Sequence, residues 1–157
     1  MKRIVLFTLL IVAVAASLAM GAMKGSADVV AAKAHPTAVS AAAGERVSFE
    51  VKLDIGETWH IYAHGDTNFI GVDLVPEEDF PLEDFQAVYP AGHEKEFFGD
   101  MVVMIEGQDV IKASALVPAA LPAGEHELAF SVTVQACDDK VCLAPAFLPV
   151  VVKLKVE

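Results

Sequence analysis

Apolar and polar residues alternate along most of the chain after residue 40, a period-two pattern typical of strands with one buried face. The clearest case is RVSFEVKLDI, residues 46–55. Its apolar positions are Val47, Phe49, Val51, Leu53 and Ile55. Similar segments follow at 58–64, 71–76, 100–107, 109–118, 126–136 and 146–156. Short strands separated by turn signals predict an all-β fold, an immunoglobulin-like antiparallel β-sandwich.

Two segments lack this alternation. Residues 77–85, EEDFPLEDF, favour a single helical turn whose length Pro81 limits. Residues 23–40 are small and polar, and predict a flexible lead-in before a folded domain at 41–157.

The first 22 residues have the layout of a secretory signal peptide. Lys2 and Arg3 precede an apolar run, and small residues then offer cleavage points after Ala19, Ala22 or Ala27. An uncleaved membrane anchor is the alternative, because the run approaches the length of a span. Export is expected in either case, with no stable membrane insertion once the signal is cleaved.

The chain carries a formal net charge of −11, and loss of Lys2 and Arg3 takes this to −13. An acidic domain repels phosphate backbones and anionic lipid, so nucleic acid and membrane surfaces are not expected partners. An exported chain also meets an oxidising compartment, in which two thiols can pair and remain paired.

The two cysteines, Cys137 and Cys142, lie in VTVQACDDKVCLAP, residues 132–145. If the flanking strands are antiparallel neighbours, DDKV connects them and the cysteines face each other at its base. A non-hydrogen-bonded pair has Cα atoms about 4.5 Å apart, within the range of a disulfide. Pro145 suits an irregular strand start.

Such a disulfide contributes little as a structural cross-link. In the chain-entropy model, a disulfide that closes a six-residue loop stabilises the folded state by about 2.2 kcal/mol, against about 3 kcal/mol for a 15-residue loop. This favours thiol–disulfide exchange over a structural role, although both remain open at this point. Asp138 and Asp139 disfavour a thiolate, so the pair is expected to act as the electrophile that a partner's cysteine attacks, or to pass electrons on once reduced.

Two further segments carry a family resemblance. HEKEFFG (93–99) and WHIYAH (59–64), together with the cysteine segment, resemble in order and type the N-terminal periplasmic domain of the thiol:disulfide interchange protein DsbD. The resemblance covers roughly residues 40–156. This sequence departs from the family pattern at three positions. Many members have tyrosine in place of Val134, and some have tyrosine in place of Phe98. Lys95 stands where a relative has an acidic residue.

The resemblance implies a periplasmic exchange module of the protein-disulfide reductase type, without a cofactor or metal. It implies that electrons arrive from a thioredoxin-like domain or a membrane thiol reductase. They pass to a periplasmic disulfide isomerase or a cytochrome c maturation thioredoxin.

The resemblance also implies roles for individual residues. Cys142 is expected to form the mixed disulfide with partners, and Cys137 to resolve it. A cap loop over the disulfide is expected from the segment Glu96, Phe97, Phe98 and Gly99. The residues expected to line the site are His60, Tyr62, Gln135 and Pro145.

Two other functions remain as alternatives. One is a secreted binding or adaptor domain whose disulfide is inert. The other is a periplasmic copper carrier, for which the ligand types are present in His60, His64, Met101 and Met104. Against the carrier, His60 and His64 would lie about 13 Å apart on an extended strand, and Met101 and Met104 would point to opposite faces.

Overall fold

The structure, a computed structural model, describes residues 24–97 and 99–157. The predicted signal peptide, residues 1–22, lies outside the described residues. A 3-10 turn, Ser26–Asp28, opens the described chain, and strands follow. Their bounds are β1 Val30–His35, β2 Ala38–Ala41, β3 Arg46–Ile55, β4 His60–Tyr62, β5 Asp73–Pro76, β6 Glu83–Val88, β7 His93–Phe97, β8 Asp100–Glu106, β9 Gln108–Leu116, β10 Gly124–Val134 and β11 Ala146–Val156.

The described strands form two four-stranded sheets and a small third sheet. The first sheet has the order β1-β3-β9-β6 and the second β2-β11-β10-β5. Their pairings are antiparallel apart from the parallel contact between β2 and β11. The third sheet, β4-β8-β7, lies at the cysteine end, because β4 pairs with both β8 and Cys137. The domain is therefore the predicted all-β sandwich of the immunoglobulin type.

The core lies between the two large sheets and follows the alternation in the sequence. Each predicted apolar position of β3 is buried, and the polar positions between them are exposed or partly exposed. Strand β11 alternates in the same way, with Leu148, Val150, Val152, Leu154 and Val156 facing inward. Burying a Val, Leu or Phe side chain contributes about 1.5–3 kcal/mol, so these faces fix the register of the long strands.

The prediction of a flexible lead-in at 23–40 was wrong for most of that segment. Strand β1 pairs with β3 along its whole length, and β2 pairs with the end of β11. Val30 and Ala34 of β1 join the buried core. The small side chains hid this role because alanine gives weak contrast between the two faces of a strand.

The prediction of a helical turn at 77–85 was also wrong, since the segment forms one hydrogen-bonded turn at 77–80, no helix, and then a strand. Phe80 N–H donates to the Glu77 carbonyl in a single turn, and β6 then begins at Glu83. Phe80 and Phe85 both pack on Phe130 of β10, with ring centroids 5.1 and 5.5 Å away. This tertiary packing outweighs the weak local preference for a helix.

Within residues 24–97 and 99–157, no helix combines the length and the apolar character that a membrane crossing requires.

Candidate functional site

Cys137 and Cys142 form a disulfide where β10 and β11 meet. Their Cα atoms are 4.0 Å apart, and the two residues form an antiparallel bridge. Backbone bonds flank the pair on both sides, from Asp138 N–H to Val141 O at 2.9 Å and from Leu143 N–H to Ala136 O at 2.8 Å. The cysteines thus occupy the close, non-hydrogen-bonded position of an antiparallel ladder, as the spacing predicts.

The connection between the cysteines is organised by Asp138. Its carboxylate accepts the backbone N–H groups of Lys140 and Val141, both at 2.8 Å. These two hydrogen bonds hold the pKa of Asp138 below its ordinary value. Asp139 is exposed beside it. The connection is therefore a tight turn that keeps negative charge next to the disulfide.

The two sulfur-bearing residues differ in exposure. Cys137 is fully buried, and its backbone exchanges two hydrogen bonds of 3.0 Å with His60 of β4. Cys142 is only partly buried. Cys142 is therefore the more exposed residue of the pair.

Aromatic side chains cover the disulfide in a small apolar cluster separate from the main core. Tyr62, Phe97, Val102 and Met104 pack with Cys137, and Phe69 and Cys142 lie against them. We call Tyr62, Phe69 and Phe97 the aromatic cover. Tyr62 and Phe69 stack at 4.2 Å, and Phe97 meets Phe69 edge to face at 5.7 Å. The aromatic cover therefore packs in one apolar cluster with the two cysteines.

The predicted cap segment is the end of a strand and the turn that follows. Glu96 and Phe97 are the last two residues of β7, and Phe97 pairs with Asp100 of β8. Glu96 is exposed and Phe97 is buried. Gly99 adopts a φ of +92°, a conformation that glycine accepts without strain. Phe98 lies outside the described residues.

Phe69 is a member of the cover that the sequence analysis missed. Asp66 Oδ1 accepts the backbone N–H groups of Asn68 and Phe69 at 2.8 and 2.9 Å, which shapes the loop before β5. The available signal was the Asp-x-Asn spacing directly before an aromatic residue, a turn signature that follows the aromatic strand WHIYAH.

Gly71 allows this loop to approach β4. It forms a parallel bridge with Tyr62, and an added Cβ would overlap the backbone carbonyl of Ala63. We expect Gly71→Ala to destabilise the domain by about 1–3 kcal/mol, because the overlap is with backbone that cannot rotate away. Chemical denaturation measures this loss. Gly25→Ala is the matched control, since its Cβ would meet nothing within 4 Å, and equal stability of the two variants would contradict the expectation.

His60 contacts both parts of the site, since its backbone pairs with Cys137 and its ring packs on the aromatic cover. It is 2% exposed, its Nε2 lies 3.4 Å from the Tyr62 hydroxyl, and its ring meets Phe97 edge to face at 5.0 Å. Burial lowers the pKa of His60 below 6.5, and this outweighs the opposing effect of Glu106. Burial also raises the pKa of Tyr62 to about 12. The site therefore favours a neutral imidazole beside a protonated phenol.

The lowered pKa of His60 predicts a loss of stability in acid. The unfolded chain takes up a proton at this residue near pH 6.5, whereas the folded chain takes it up only at lower pH. The contribution is therefore fully present above pH 6.5 and is lost as the pH falls toward the folded-state pKa, with a slope of at most about 1.4 kcal/mol per pH unit. Denaturation of the wild type and of His60→Gln at several pH values between 7.5 and 5 measures the difference. Identical pH dependence in the two proteins would contradict this prediction.

The remaining predicted site residues flank the cysteines. Gln135 donates its side-chain amide to the Leu143 carbonyl at 3.4 Å. Pro145 is exposed and directly precedes β11. Neither residue belongs to the apolar cluster that the aromatic cover forms with the cysteines.

The residues considered as copper ligands lie in different environments, and His60 has been described above. His64 stacks on Tyr89 at 3.9 Å, Met101 is exposed, and Met104 is buried under Phe97 together with the disulfide. Among the residues that the structure describes, no group of three or more His, Cys, Asp or Glu side chains is arranged to hold a metal ion.

An immunoglobulin-like sandwich carries a disulfide at a strand end, packed against the aromatic cover, and this arrangement fits a domain of the thiol–disulfide exchange class. Residues 26–147 match the family model described as thiol:disulfide interchange protein DsbD, N-terminal. The chain belongs to this family.

Comparison with solved structures shows a similar fold in a periplasmic domain. The chain is similar to the N-terminal periplasmic domain of ScsB from Proteus mirabilis, with a TM-score of 0.52, 9% identity and coverage of 81% of this chain. It spans 44% of the ScsB chain, so the similarity concerns the fold of one part of that protein. A family 123 glycoside hydrolase from Clostridium perfringens matches with a TM-score of 0.40, 10% identity and coverage of 76% of this chain and 22% of that one. The structural similarity to the glycoside hydrolase is too low to carry an argument. A search of curated protein sequences found no match.

Proposed function

We propose that this chain is a periplasmic module that passes electrons between thioredoxin-like or membrane-bound thiol reductants and periplasmic partner proteins, through the Cys137–Cys142 pair. The observation that carries the proposal is the unequal exposure of the two cysteines beneath the aromatic cover. A structural disulfide needs no such arrangement, whereas an exchange site needs one reachable sulfur and protection from unspecific thiols.

The exchange takes place in two displacements. In the reducing direction, a partner thiolate attacks Sγ of Cys142, the Cys137–Cys142 bond breaks, and Cys137 leaves as a thiolate that takes up a proton. A second partner thiolate then attacks the mixed disulfide and releases Cys142. Two electrons reach the module, and the partner becomes a disulfide. Transfer onward to an oxidised partner runs the same steps in reverse, with Cys142 attacking and Cys137 resolving.

His60 and the neighbouring carboxylates affect these steps differently. A neutral imidazole at His60 can accept the proton that the Cys137 thiol loses when it becomes a thiolate, and the imidazolium so formed can return that proton when the thiol forms again. The lowered pKa of Asp138 keeps a negative charge beside the cysteines, which opposes a free thiolate, so we expect the reduced pair to remain largely as thiols until a partner docks.

The proposal is tested by mixing the oxidised domain with a reduced thioredoxin that carries a Cys-x-x-Cys pair. Alkylation of free thiols followed by mass spectrometry counts the cysteines reduced. We expect both cysteines to gain an alkyl group, at least about tenfold faster than with glutathione at equal thiol concentration, because only a docking protein displaces the cover. A domain that stays oxidised with both reagents would instead support the adaptor with an inert disulfide.

A further inference from the structure

The ladder between β10 and β11 is interrupted directly beside the cysteines. Val134 pairs with Ala146 at the end of the regular ladder, and Cys137 pairs with Cys142 beyond it. Two residues separate Val134 from Cys137 on one side, and three separate Cys142 from Ala146 on the other. The extra residue makes a β-bulge, which leaves backbone groups in need of other partners.

A side chain from outside the two strands supplies these partners. In an unbroken ladder, Ala136 and Leu143 would exchange both of their backbone hydrogen bonds. Here Leu143 N–H donates to Ala136 O at 2.8 Å, but Ala136 N–H donates to Ser26 Oγ at 2.9 Å. The Ser26 hydroxyl in turn donates to Ala144 O at 2.7 Å, and Ser26 N–H reaches the same carbonyl at 3.0 Å. Ser26 therefore bridges the two cysteine-bearing segments.

Ser26 is itself held rigidly. It is fully buried, and it begins the 3-10 turn in which Gly25 N–H donates to the Asp28 carboxylate at 2.7 Å. The turn leads directly into β1, whose pairing with β3 anchors it to the first sheet. Of the predicted cleavage points, those after Ala19 and Ala22 retain Ser26, whereas cleavage after Ala27 would remove it.

We propose that Ser26 is a positioning residue that keeps the Cys137 and Cys142 segments in register when the disulfide is open, and so sets how readily the pair closes. The bridge is made by hydrogen bonds that do not involve sulfur, so it persists in the dithiol form. The effect of Ser26 on the dithiol–disulfide equilibrium does not depend on the partner protein. The part that this effect plays in electron transfer rests on the proposed function.

The direction of the effect follows from comparing the two redox forms. In the disulfide form, the covalent bond holds the segments together, so loss of the Ser26 hydroxyl leaves Ala136 N–H buried and unpaired. In the dithiol form of a variant that lacks the hydroxyl, no covalent bond holds the segments, so they can separate and let Ala136 N–H reach water. Removing the hydroxyl therefore costs more in the disulfide form and makes the disulfide easier to reduce.

The test is the equilibrium constant for the reaction of the dithiol with oxidised glutathione, which yields the disulfide and two glutathione molecules. We expect Ser26→Ala to lower this constant about tenfold, equivalent to a potential about 30 mV higher. Ser131→Ala is the matched control, because Ser131 lies in the same strand five residues before Ala136 and is expected to leave the constant unchanged. Should Ser26→Ala fail to fold, Asp28→Ala loosens only the turn that carries Ser26 and is expected to shift the constant less, in the same direction.

An unchanged constant in a folded Ser26→Ala protein would overturn the proposal, since a merely structural residue destabilises both redox forms equally. If Ser26→Ala does not fold, an unchanged constant in a folded Asp28→Ala protein would likewise overturn the proposal.

Failure of the Ser26 proposal is distinct from failure of the proposed function. A wild-type disulfide that thioredoxin cannot reduce would refute exchange, and the shift between the variants would still be measurable in dithiothreitol buffers.

Discussion

Replacing Phe97 with alanine is expected to accelerate reduction of the disulfide by glutathione at least about tenfold. Phe97 is 5% exposed and packs in one cluster with Cys137, Tyr62 and Met104. Under the proposed function, the aromatic cover hinders access of glutathione to the disulfide until the cover opens. A mutation that lowers the cost of opening by about 1.4 kcal/mol raises the reaction rate tenfold, and truncating a buried phenylalanine typically removes more than this.

Two controls separate loss of the cover from general loss of structure. Phe147→Ala removes an aromatic ring that is 72% exposed on β11, and it is expected to leave the rate unchanged. Phe97→Leu keeps an apolar side chain in the cluster and is expected to give an intermediate rate. Phe97→Ala must also retain the circular dichroism spectrum of the wild type. A folded Phe97→Ala protein that reacts at the wild-type rate would contradict a shielding role for this residue.

The second prediction concerns the two cysteines. Cys142→Ala is expected to abolish electron transfer, because under the proposed function it removes the sulfur that partners attack. Cys137→Ala is expected to trap a mixed disulfide, because Cys142 can still attack an oxidised partner but the resolving thiol is missing. The trapped species is measured by purifying the Cys137→Ala protein under alkylating conditions from the cells that naturally produce it, followed by non-reducing electrophoresis.

The matched controls for this experiment are Cys142→Ala and the variant lacking both cysteines. All three variants lack the disulfide, and the chain-entropy cost of about 2.2 kcal/mol for a six-residue loop is the same in each. A difference in trapping therefore reports chemistry and not stability. Equal trapping by Cys137→Ala and Cys142→Ala would show that the roles assigned to the two sulfurs are wrong.

Much of the sandwich could be predicted from sequence because its long strands alternate strictly. Strand β11 begins and ends at the residues predicted, and β3 buries the predicted side chains. Strands β1 and β2 could not be recognised in the same way, because alanines and single polar residues give no clear alternation. Their place depends on pairing with β3 and β11, which are distant in sequence.

The parts of the site that depend on residues close in sequence could be predicted. The antiparallel pairing of the two cysteines follows from their spacing, and the segment containing Phe97 was found through the family resemblance. Phe69 and Ser26 were not found. The position of Phe69 depends on an Asp66 turn and a stack against another strand, and Ser26 reaches Ala136 from 110 residues away. Such contacts exist only after the chain has folded.

The central claim is that the Cys137–Cys142 disulfide is made and broken in the protein's function. Its reduction potential, measured by equilibrating the purified domain with glutathione and dithiothreitol buffers and counting free thiols by mass spectrometry, tests this most directly. The account predicts a potential above about −300 mV, within the range of exchange proteins. A potential below this value, in a domain that thioredoxin also fails to reduce, would contradict the account and show the disulfide to be structural.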